Sequence, residues 1–283
     1  MNYKYSYKIA NLKPTTDNTN LDDKICFSSS APDKSVFPYE DFLRIGKSLF
    51  EENADSLFSS TDIFGFDALR ILIRGILFQK SVLCDHDSIL ITSGLKGSLD
   101  LICRTLTCEG DTIICEEPVS KSVLDVFRAN GLNIIGVPLN LDGIDTDRLE
   151  SALIKNPNAR FVYTMPNFQN PSGITASEEK RQQIYSIAHK YDVAIIEDDS
   201  FGDLRFGGVD FPAIKSFDKD NRVIYLNTFS NILSPSLKVG YICADSILVN
   251  KLTFAKKASN NDAGLWEQMA VCRFFNEYDY FDY

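Results

Sequence analysis

Short apolar runs alternate with amphipathic segments along most of this chain, and no other feature limits the fold so tightly. The runs occupy residues 88–92, 111–115, 133–137, 160–165, 193–197, 222–226 and 239–244. Most are near-continuously apolar, as in Asp111-Thr-Ile-Ile-Cys115. Strands of this composition are buried on both faces. Helical segments fall between them at 97–107, 120–130, 146–155 and 177–191. The last opens with Ser177-Glu-Glu-Lys180, which puts acid in the first turn, where the helix dipole favours it. Two more helices precede the first strand. Residues 38–50 carry Phe42, Ile45 and Leu49 at helical spacing, with Pro38 near the first turn. Residues 67–79 do the same with Leu69, Leu72, Ile73 and Ile76. This pattern predicts an α/β fold, a mostly parallel seven-stranded sheet with helices on both faces. In such sheets ligands bind outside the strand ends.

The charge balance narrows the function classes. A net charge of −10 and an isoelectric point near 4.8 argue against nucleic acid, which needs a basic footprint. Seven cysteines without a CxxC pair read as reduced, mostly buried thiols. His86 and His189 lie at no ligand spacing from a cysteine, so no zinc is expected. The first ten residues lack an apolar signal region, and no run approaches the roughly 18 apolar residues of a membrane span. A cytoplasmic protein is expected, with no membrane partner.

Six motifs carry chemistry. They are Ser60-Thr-Asp-Ile-Phe-Gly65, Ile91-Thr-Ser-Gly-Leu-Lys-Gly-Ser-Leu-Asp100, Glu116-Glu-Pro-Val-Ser120 and Met165-Pro-Asn-Phe-Gln-Asn-Pro-Ser-Gly173. Ile195-Ile-Glu-Asp-Asp-Ser-Phe-Gly-Asp-Leu-Arg-Phe206 and the segment 225–241, with Thr228-Phe-Ser-Asn231 at its centre, complete the set. In this order, and over about residues 25–268, the chain resembles the class I/II aminotransferases of fold type I, which use pyridoxal 5'-phosphate (PLP). The branch it most resembles includes the α-aminoadipate-type enzymes and the aminotransferase-like domains of MocR regulators, here without a preceding winged helix.

The resemblance implies a cofactor site. Backbone N–H groups at Leu95 to Gly97, with Lys96, would hold the phosphate at a helix N-terminus. Thr228, Ser230 and Lys238 would contact it too, Lys238 standing where the family has arginine. Asn170 would donate to the phenolic oxygen, and Asp198 would pair with the ring nitrogen. Other positions depart from the family. Ser120 replaces the aromatic residue that stacks on the ring, Phe201 replaces a tyrosine, and Ser60 replaces a tyrosine that reaches a neighbouring subunit's phosphate. Most consequential, Asn231 occupies the position of the Schiff-base lysine, and a carboxamide can neither attach the cofactor nor move the substrate proton.

Three readings follow. A degenerate, catalytically inactive or impaired member would bind PLP or pyridoxamine 5'-phosphate (PMP) noncovalently, along with an amino-acid-like small molecule. Alternatively, an active or split aminotransferase would use Lys96, Lys238 or a complementing aminotransferase chain. The third is a shortened product that only partly folds. A homodimer is expected from the family. The expected organisation is a mobile arm over 1–24, a large cofactor domain over 25–250, and a connecting helix and tail over 251–283, with the family's small domain missing. Residues 252–283 read as one long helix followed by the aromatic-acidic tail Glu277-Tyr-Asp-Tyr-Phe-Asp-Tyr283.

Overall fold

A computed structural model describes residues 34–57, 59, 61–281 and 283. The arm expected over 1–24, Cys26 and Ser60 lie outside the described residues.

All seven expected strands form, joined by a two-residue eighth. They are β1 (Ile89–Thr92), β2 (Thr112–Glu117), β3 (Asn133–Asn140), β4 (Gly143–Ile144), β5 (Phe161–Thr164), β6 (Ala194–Asp198), β7 (Val223–Thr228) and β8 (Gly240–Cys243). They form one sheet in the order β1-β8-β7-β6-β5-β2-β3-β4. Strands β3, β2, β5, β6 and β7 run parallel, while β8 is antiparallel to both β7 and β1. The extra strand exists because β3 runs on to Asn140 and the chain doubles back through Gly143, whose φ of 123° suits glycine. Two residues are too few for a periodicity to reveal.

Helices cover both faces. The described helices are α1 (Tyr39–Leu57), α2 (Asp67–Gln79), α3 (Gly94–Leu106), α4 (Lys121–Ala129), α5 (Thr146–Lys155), α6 (Glu178–Lys190), α7 (Ser246–Ser259) and α8 (Leu265–Glu277). On one face Leu90, Tyr163, Ile196, Leu226 and Ile242 pack with α3, α4 and α7. On the other, Ile114, Val162, Ile195 and Val223 pack with α5 and α6. Tyr225, Tyr241 and Cys243 share that second face with α1, α2 and α8. Helix starts follow the sequence chemistry. Ser120, Asp145, Ser177 and Asp245 each accept a hydrogen bond from a first-turn N–H, satisfying donors the helix cannot.

The long helix expected after residue 252 is two helices instead. The run Ser259-Asn-Asn-Asp-Ala-Gly264 breaks it, with Asn260 in the left-handed conformation at φ 51°. The tail beyond α8 packs back on the molecule. Tyr280 donates to Asp203 at 2.8 Å, and Tyr283 sits edge-on against Phe274 with ring centroids 5.1 Å apart. No helix among the described residues is long and apolar enough to cross a membrane.

Candidate functional site

The loops after β1, β2, β5, β6 and β7 meet around a cavity of about 720 Å³. Every residue singled out from the sequence for this site lines it: Leu95, Lys96, Ser120, Asn170, Asp198, Phe201, Thr228, Ser230, Asn231 and Lys238. The parallel strands make this convergence unavoidable, since their C-terminal ends lie along one edge of the sheet.

One end of the cavity is built for an anion. Helix α3 starts directly after β1, with no acidic residue in its first turn. Ser93, in the N-cap position, leaves the helix N–H groups uncapped and bonds Asn261 instead. The first-turn amides at Leu95, Lys96 and Gly97 therefore face the cavity with the positive end of the helix dipole. Opposite them, Thr228 Oγ1 lies 3.0 Å from Ser230 Oγ, which in turn donates to the Leu237 carbonyl at 2.8 Å. Lys96 and Lys238 are exposed at the rim. Two glycines bring these walls together. A Cβ on Gly240 would come within 2.8 Å of the Gly94 Cα, so only glycine on β8 lets α3 approach this closely. Gly94 itself has a φ of 78°, and a Cβ there would sit 3.8 Å from both hydroxyls.

The other end carries a buried carboxylate. Asp198 ends β6 and is 1% exposed. Its Oδ1 accepts from Ser200 N at 3.0 Å and Ser200 Oγ at 2.5 Å, and its Oδ2 accepts from the Tyr163 hydroxyl at 2.5 Å. Burial pushes its pKa above the usual carboxylate range, and the Ser200 and Tyr163 bonds pull it back only partly. Among the described residues no cation contacts it and no other carboxylate lines the cavity.

Between the two ends, Asn231 donates from Nδ2 to the Ser200 carbonyl at 2.9 Å, so its amide is tied to the backbone beside Asp198. Asn170 sits half-buried in the loop 165–173. Gln169 holds that loop by donating to the Pro118 carbonyl at 2.7 Å and accepting from Ser172. Buried Arg181 braces it through the Pro166 carbonyl and Asn167. Phe201 is half-buried and presents no hydrogen-bonding group. Ser120 has a structural task as well, because its hydroxyl accepts from Val123 N at 3.4 Å and caps α4.

Sequence reasoning missed Tyr163 and Ser200, the two residues that hold Asp198. Ser200 had a local signal, an aspartate bonding two residues ahead as in an Asx turn. Tyr163 had only the strand alternation. It pairs with Ile196 in register, which puts it on the same face as Asp198 two residues further on.

Comparison with known proteins identifies the family and the fold. The family model described as aminotransferase class I and II matches residues 23–266. An aromatic-amino-acid aminotransferase from Thermococcus litoralis is 32% identical over 257 residues, covering 89% of this chain and 62% of that enzyme. A Pyrococcus horikoshii kynurenine aminotransferase, solved in complex with PMP, superposes with a TM-score of 0.84 at 31% identity, covering 89% of this chain and 63% of that one. A multiple substrate aminotransferase from Thermococcus profundus gives a TM-score of 0.88 at 30% identity, over 98% of this chain and 71% of that one. The chain spans between 43% and 64% of the length of the curated relatives it matches. Matched in sequence from residue 23 to 266 and in fold along the whole sheet, the chain belongs to the class I and II aminotransferase family, with the fold of the PLP-dependent transferases.

Proposed function

We propose that this chain is a catalytically impaired aminotransferase-family protein that holds PLP or PMP without covalent attachment. One observation carries the reading. The cavity keeps both polar ends intact, yet at the position of the family's lysine it presents an amide bonded to the Ser200 carbonyl.

The residues present fit the group as a noncovalent ligand. The α3 N-terminus, Thr228, Ser230 and Lys238 would hold the phosphate, and the close approach at Gly94 and Gly240 keeps that cradle free of Cβ atoms. Asp198 would hold a protonated ring nitrogen, and that cation would offset the burial that disfavours its charge. Asn170 would donate to the phenolic oxygen. When bound, PLP supplies an electron sink for the carbon next to the reacting nitrogen. The chain's own residues supply less than that chemistry needs. Asn231 has no basic nitrogen to accept or return a proton, Phe201 has no hydroxyl, and Ser120 has no ring face. PMP suits this set better than PLP because its amine requires no lysine.

The reading carries with it a cytoplasmic homodimer or a complex with a complementing aminotransferase chain, and an amino-acid-like small molecule as second ligand. The relatives are named as aminotransferases, so loss of activity is our inference from Asn231, Ser120 and Phe201. A second reading, activity through another amine, draws support from Lys96 and Lys238 lining the same cavity.

Titration of the full chain with PMP and PLP, followed by borohydride treatment and mass mapping, separates them. Saturable binding without covalent capture supports the first reading. Capture on Lys96 or Lys238, or turnover of an amino donor by the chain alone, overturns it. Asn231→Lys is expected to restore covalent capture of PLP without restoring full turnover.

A further inference from the structure

Away from the cavity, two thiols meet. Cys84 lies in the segment between α2 and β1, half-buried, and lines a surface cavity of about 310 Å³ with Arg74, Phe78, Val82, Leu83 and Asp85. Cys243 closes β8 at the opposite end of the strand from Gly240 and is fully buried, in register with Ile89 on one side and Tyr225 on the other. Cys84 packs against the buried cluster that contains Cys243, and each thiol is the leading influence on the other's ionisation. One of the pair therefore reaches solvent through an opening sized for a small molecule, and its partner is shielded behind it. The other described thiols differ. Cys103, Cys115 and Cys272 are buried, and Cys108 is exposed.

We propose that Cys84 and Cys243 form a peroxide-responsive dithiol, with Cys84 as the residue oxidised first and Cys243 as the one that resolves it. The Cys84 sulfur attacks the O–O bond of a peroxide. One oxygen is transferred to sulfur as a sulfenic acid, and the other leaves as water or an alcohol. The Cys243 sulfur then attacks the sulfenic sulfur. An S–S bond forms, the S–O bond breaks, and the departing hydroxide takes the Cys243 proton as water. Two thiols lose two electrons in all, and the peroxide gains them.

The electrostatics assign the order of attack. The neighbouring Cys243 thiol lowers the pKa of the Cys84 thiol, burial works against that, and the charges of Arg74 and Lys215 add to the lowering. The same contact raises Cys243, with burial in the same direction, which keeps it a thiol until a partner sulfur is activated.

The test is hydrogen peroxide treatment of the full chain, blocking of remaining thiols, and peptide mapping without reductant. The expected result is complete, pairwise loss of the Cys84 and Cys243 thiols and a linked peptide that dithiothreitol releases, while Cys108 stays open to alkylation. Cys84→Ser should leave Cys243 reduced, and Cys243→Ala should leave a sulfenic acid at Cys84 that dimedone traps. Oxidation of Cys84 with Cys243 still free in the unmutated chain, oxidation no faster than at Cys108, or a link from Cys84 to any other cysteine would overturn the proposal. If Cys243→Ala does not fold, the paired time courses of the two thiols in the unmutated chain decide the question.

Discussion

Asp198 and Asp199 are consecutive and equally buried, at 1% and 3% exposure, but they sit in opposite electrostatic worlds. Asp199 turns away from the cavity into a closed ionic network. Lys80 reaches it at 3.1 Å and Asp203 at 2.5 Å, and Asn167 and the Tyr225 hydroxyl each donate to it at 2.6 Å. Burial opposes its charge, but the Lys80 ammonium and these bonds outweigh the penalty and hold it below the usual carboxylate range. Asp198 receives only neutral donors, and burial wins. The neighbouring pair separates a carboxylate whose cation is built into the chain from one that, on the proposed reading, meets its cation in a ligand. That is the physical difference between a structural and a binding acid.

The largest effect should come from breaking the closed network. Lys80→Met leaves Asp199 and Asp203 buried without their cation, and removing one partner of a buried pair costs about 3–5 kcal/mol. Urea unfolding measures this directly. A loss below about 1 kcal/mol would mean that solvent reaches Asp199 as easily as an exposed group, which would dissolve the contrast.

A third buried acid sharpens it. Glu116 has no cation beside it among the described residues. Thr164 Oγ1 and Met165 N donate to its Oε1, and its Oε2 has no hydrogen-bond partner among the described residues. Burial pushes it up to about 7, from an ordinary value of 4.5. Its folded-state value is the higher one, so the folded chain keeps a proton between pH 4.5 and 7 that the unfolded chain has released. Its contribution to stability is therefore full below pH 4.5, falls as pH rises to about 7, and is flat above. Glu116→Gln should flatten the decline over that window by up to ~3 kcal/mol. Thermal unfolding as a function of pH reads it out. Glu197, also pushed up to about 7 by burial and then by Asp199, leaves a residual slope of the same sign.

On the cavity side, Asp198→Asn should change stability by no more than about 1 kcal/mol, since Ser200 can still donate and the Tyr163 hydroxyl can turn from donor to acceptor. PMP affinity should instead fall by about 1.5–3 kcal/mol, the usual worth of a hydrogen bond to a charged group. Calorimetry on the same variant compares both numbers. An equal loss of stability at Asp198 and at Lys80 would erase the distinction. The smallest expected effect is at Phe201→Tyr, where a regained phenol donor should improve PMP affinity by about 0.5–1.5 kcal/mol.

The sheet was readable because parallel strands are apolar on both faces, and the ranges 88–92 to 239–244 needed only that texture. The cavity residues were readable because they sit in compact motifs at strand ends. What escaped depended on long-range pairing. Lys80 meets an aspartate 119 positions away, and Tyr163 finds Asp198 across 35. Neither contact leaves a trace in local spacing. The split after Ser259 was missed for another reason, since the breaker cluster was present but outweighed by helical residues on either side. Ser120 was read as a loss, and only the fold revealed that it also has a task.

If the proposed reading of an impaired enzyme holds, that task constrains any way back to catalysis. Ser120 fastens the first turn of α4 through the Val123 amide. Installing an aromatic ring there would regain a stacking surface while freeing that amide, at a cost of about 1 kcal/mol. Reversal at this position is thus coupled to helix integrity. Recovery through Asn231 alone would yield a tethered coenzyme lacking its upper wall, and each later step would first have to replace a cap.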